Sequence, residues 1–67
     1  MDEAAIWPKI VKADEAIKYA TEDRQAVRRE QAERLLREAL AEAREAGSAA
    51  LEEQARTRLA DLGVSEA

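Results

Sequence analysis

The stretch "AGSAALEE", residues 46–53, sets how this chain folds. Two of its residues are suited to ending one helix and starting another. Gly47 can take the left-handed backbone conformation that closes a helix at its C′ position. Ser48 can accept a backbone N–H from the first turn of the next helix, and Glu52 and Glu53 follow near that helix's positive end. A link of two residues leaves no room for the chain to travel. The segments on either side are therefore predicted to be antiparallel neighbours.

Downstream, Leu51, Ala55, Leu59 and Leu62 recur at helical spacing, and Gly63 follows as a terminal cap. This predicts a helix over 49–62, with "VSEA" as a fraying tail. Upstream, Ala32, Leu35, Leu36, Ala39, Leu40, Ala43 and Ala46 form one stripe. Ile6, Ile10, Ala13, Ile17 and Ala20 form another. On a continuous helix the two stripes would be rotated by roughly 80°. Two readings stay open. A single helix could run from 8 to 46, about 58 Å long. Alternatively the chain breaks near Thr21, with Thr21 as N-cap and Glu22 and Asp23 in the first turn of a helix over 22–46. Pro8 suits the first turn of a helix over 8–20, with Trp7 extended ahead of it and residues 2–6 in a loose turn. The fold class is all-α: an antiparallel helical hairpin or a small three-helix bundle.

Composition supports helix and limits the core. The chain has 67 residues. Of its 31 apolar residues 16 are alanine, leaving 15 larger ones. A chain this short buries only about 60% of its unfolded surface, so self-association or very regular packing is expected to help. Ile10, Ile17, Leu36, Leu40, Leu51, Leu59 and Leu62 are the expected core. Glu30–Arg34, Glu33–Arg37, Glu52–Arg56 and Asp14–Lys18 are spaced to pair along helix faces.

Several functions are disfavoured. Histidine and cysteine are absent, which removes disulfides, most zinc sites and the commonest acid–base and nucleophilic groups. No catalytic, cofactor-binding or metal-ligating residue is expected, and the protein is read as non-enzymatic. Glu38, Glu42 and Glu45 lie along one side of the middle helix and read as a solvated acidic face. No run of about 18 apolar residues spans a membrane, and the N-terminus lacks the pattern of a signal peptide, so a cytoplasmic protein is expected. The net charge of −4 runs against a general nucleic-acid binder. The rival class is a small regulatory nucleic-acid-binding or antitoxin-like protein that contacts phosphates through Arg24, Arg28 and Arg29.

The front of the chain is chemically distinct. Residues 3–20 hold every isoleucine, every lysine, and the only Trp, Tyr and Pro. One helix cannot hide all its large side chains against a single neighbour. Trp7, Ile10, Val11 and Tyr19 are therefore the expected contacts for a protein partner or a second copy, since Trp and Tyr often anchor interfaces.

The stretch "AERLLREALAEAREAGSAALEEQARTRLADLG", residues 32–63, resembles a de novo designed helical-bundle miniprotein. It is Ala/Glu/Arg/Leu-rich, with a tight Gly-Ser turn and a Gly cap. The resemblance implies a rigid bundle that presents a helix face to a target or builds an assembly. Trp7-Pro8, the polar centre and Thr57 depart from that idealised pattern.

Overall fold

A computed structural model of the chain describes residues 3–63. The expected tail over 64–67, and the start of the expected N-terminal turn, lie outside them. The protein is a three-helix bundle: α1 (Glu3–Lys18), α2 (Gln25–Ala46) and α3 (Ala49–Asp61). No strand occurs among the described residues.

The turn between α2 and α3 forms as its residues dictate. Gly47 has φ 72°. Its N–H donates to the Arg44 carbonyl at 3.2 Å, and the Ser48 N–H donates to the Ala43 carbonyl at 2.9 Å. This pair of bonds is a Schellman motif, and it satisfies carbonyls that the helix end would leave open. The Ser48 Oγ then accepts the Leu51 N–H at 3.4 Å, capping α3.

The chain does break near Thr21, but the second helix starts later than expected. Thr21 is extended, with φ −80° and ψ 161°, and its side chain makes no capping bond. Its carbonyl accepts the Arg24 N–H at 2.9 Å, closing a 3-10 turn over Glu22–Arg24. The α-helix begins only at Gln25. The two apolar stripes are out of phase, so folding back at 19–24 lets both face one core.

The start of α1 corrects a second expectation. Pro8 does not open the helix; it lies inside it, and the helix reaches back to Glu3. Trp7 is thus helical rather than extended, and residues 3–6 are helix rather than loose turn. Ile6 accounts for this. It continues the stripe of Ile10 and Ala13 and is fully buried. Burying an isoleucine stabilises by about 1.5–3 kcal/mol, comparable to the roughly 3 kcal/mol cost of an interior proline.

The core consists of Ile6, Ile10 and Ala13 from α1, Ala32, Leu36, Ala39 and Leu40 from α2, and Ala55 and Leu59 from α3. Its alanines let the helices approach closely. Leu51 and Leu62, expected in the core, are half-buried at its edge. Ile17 is a clearer correction: it is 42% exposed. The central helix α2 packs against both neighbours, whereas α1 and α3 meet far less. The bundle measures 37 × 25 × 13 Å, so it is twice as wide as it is thick.

Candidate functional site

Helix α1 carries the side chains of interest, and its geometry separates them. Measured around the helix axis, the core stripe lies between two flanks. One flank carries Lys9, Lys12 and Ala16 towards α2. The other carries Trp7 and Asp14 towards α3. Ile10 is fully buried, so it belongs to the core and offers no surface to a partner.

Trp7 is 44% exposed. The Arg58 guanidinium from α3 lies over its ring, 5.7 Å from the centroid. The Arg58 Nε also donates to both Asp14 carboxylate oxygens at 2.9 Å. A third link ties Arg58 to its own helix, where Nη1 donates to the Gln54 Oε1 at 2.5 Å. Asp14 and Trp7 are seven residues apart on α1, which puts both on the side facing Arg58. The expected Asp14–Lys18 pair is replaced by this cross-helix contact. Lys18 instead places its Nζ 5.4 Å from the centroid of the Tyr19 ring.

Tyr19 does not join Trp7. It lies just past the end of α1, is 70% exposed, and lines the cleft between α1 and α2 with Lys12, Ala16, Arg28 and Leu35. Twelve residues separate it from Trp7, about 18 Å along a helix. Val11 is half-buried. The four expected contacts therefore divide into a buried residue, an aromatic beside α3 with half-buried Val11 one turn on, and an aromatic beside α2. Val27, 52% exposed on α2, is a further large apolar surface residue.

The acidic side of α2 is not wholly solvated. Lys9 Nζ reaches Glu42 at 2.5 Å and Glu38 at 3.7 Å. The hydrogen bond that Lys9 donates to Glu42 is the largest influence on Lys9, and it raises the lysine pKa above its ordinary value against the opposing effect of desolvation. The second Glu42 oxygen, Oε2, is buried and accepts no hydrogen bond. No group of three His, Cys, Asp or Glu among the described residues is placed to hold a metal ion.

The arginines proposed for nucleic acid are not a free row. Arg24 lies exposed in the 3-10 turn. Arg28 donates to Gln31 Oε1 at 3.2 Å. Arg29 donates through Nη2 to the Leu62 carbonyl at the end of α3. There it satisfies an open carbonyl and places a cation at the negative end of the helix dipole.

Three open clefts on the surface have volumes of about 350, 220 and 290 Å³. No described helix is long and apolar enough to cross a membrane. No protein-family model, curated protein or solved structure matches this chain.

Proposed function

We propose that this protein is a non-enzymatic interaction module that presents the outer side of α1 to a protein partner or to a second copy of itself. The carrying observation is where the large side chains go. Half of the buried apolar residues are alanine, yet Trp7 and Tyr19 stay 44% and 70% exposed. A chain this short gains stability by burying such residues, so leaving them out is consistent with a second surface to cover. Trp7 is the expected anchor. Arg58 fixes its ring before any partner arrives, which reduces the side-chain ordering cost of docking. The resemblance of residues 32–63 to designed bundles fits the same role, with α2 and α3 as scaffold.

The test combines sedimentation equilibrium with Trp7 emission over a wide concentration range. Emission that moves to the blue as a dimer forms identifies self-association through α1. A monomer with red-shifted emission throughout points to a different protein as partner. The reading fails if Trp7→Ser unfolds the monomer as severely as a core substitution, because Trp7 would then be part of the fold.

A further inference from the structure

The end of the bundle where α1 and α3 finish and α2 begins is not closed. Ile17, Ala20 and Leu62 line a cleft of about 220 Å³ there, with Gln25, Arg28 and Arg29 around them. Two features of this cleft combine. Its floor is apolar and uncovered, as the 42% exposure of Ile17 shows. Among the described residues, its only charged lining groups are two arginines, on a chain of net charge −4. Arg37, Arg44, Arg56 and Arg58 each pair with a carboxylate. Among the described residues, Arg28 and Arg29 bond to uncharged oxygens, those of Gln31 and Leu62. A guanidinium carries five N–H donors, so most of theirs remain available.

We propose that this cleft binds the C-terminal residue of a peptide: an aliphatic side chain against Ile17, Ala20 and Leu62, and the terminal carboxylate on Arg28 and Arg29. Charge complementarity and size together select this occupant. Arginine forks match carboxylate geometry. A cleft of this volume holds one large aliphatic side chain with its carboxylate. Its volume is too small for the row of anchors by which a helix docks in a groove. Phosphate alone would leave the apolar floor wet. This site is independent of Trp7, on a different part of α1.

The experiment is a 15N-HSQC titration of the full chain with N-acetyl-leucine. The amide signals of Ile17, Ala20 and Leu62 should shift saturably, with the Trp7 indole signal unmoved. N-acetyl-leucinamide should bind roughly tenfold more weakly, about the worth of one charge-assisted hydrogen bond. Arg28→Gln, checked for unchanged helicity, should weaken N-acetyl-leucine by a similar factor. Equal binding of the leucinamide would overturn the proposal. So would absence of shifts at the cleft, or equal binding of N-acetyl-leucyl-aspartyl amide, which carries an acid but no free C-terminus. Because the Trp7 signal is read in the same spectra, a failure here is distinct from a failure of the interaction face.

Discussion

Arg58 of α3 holds Asp14 of α1, its Nε 2.9 Å from both carboxylate oxygens, while its guanidinium covers Trp7. One side chain thus ties together the two helices that otherwise meet least. A double-mutant cycle with Arg58→Met and Asp14→Asn should give a coupling of about 0.2–1 kcal/mol, since Asp14 is half exposed to screening solvent. Arg58→Met alone should cost more than Asp14→Asn alone, because it also removes the contact over Trp7. Urea unfolding followed by circular dichroism measures both. A coupling indistinguishable from zero would mean that solvent screens the bridge completely.

The α2–α3 turn depends on the backbone of one residue. A Cβ at Gly47 would meet nothing within 4 Å, yet φ there is 72°. Gly47→Ala should therefore cost about 1–2 kcal/mol from backbone strain alone. Ser48→Ala should cost about 1 kcal/mol through the lost cap. Thermal unfolding of the two variants checks both figures, and an unchanged Tm for Gly47→Ala would rule out the left-handed cap.

Leu36 and Ile17 are both large and aliphatic, and both fall on a predicted core stripe. They should respond very differently to truncation. Leu36 is fully buried, so Leu36→Ala should cost about 2–5 kcal/mol. Ile17→Ala should cost less than about 1.5 kcal/mol, because much of its side chain is already in water. Equal losses in chemical denaturation would place Ile17 inside the fold and remove the open end.

Proline at position 8 interrupts a helix that continues through it. Pro8→Ala should stabilise the bundle by about 1 kcal/mol or more, since the substitution restores an N–H and a strong helix former. A loss of stability would show instead that the ring packs usefully, and guanidinium unfolding curves decide between the two.

Lys9 gives a pH dependence whose sign is fixed. Its pKa is raised in the folded state above 10.5, chiefly by the hydrogen bond it donates to Glu42. The folded chain therefore holds the proton more tightly than the unfolded chain. The stabilisation is fully present below the unfolded value and disappears as pH rises through the folded one. Above about pH 10.5, the difference in Tm between the protein and Lys9→Met should shrink. A difference that stays constant from pH 8 to 11 would exclude the linkage.

Local features were readable where they depend on neighbours in the chain. The Gly47-Ser48 turn and the antiparallel order follow from caps and a short link, whereas the break near Thr21 is one of two readings the apolar phase leaves open, and the Thr21 side chain does not cap it. The start of α1 was misplaced because Pro8 has a strong local preference, while the burial of Ile6 that outweighs it comes from other helices. The four partner contacts rest on residue type and on the limit that a single neighbour cannot cover them all. Their separation onto two sides of α1, with Ile10 buried, depends on which flank meets α2 and which meets α3.

The sequence by itself determined the helical class, the α2–α3 turn and the amphipathic stripes, because helix propensity, capping and side-chain spacing act within a few residues. Only the tertiary structure decided that Asp14 serves Arg58 rather than Lys18, that Lys9 reaches Glu42, and that Ile17 stays open to water. Each of those outcomes depends on how near a side chain of another helix comes, and α1 projects its last apolar residue where α2 and α3 leave it uncovered.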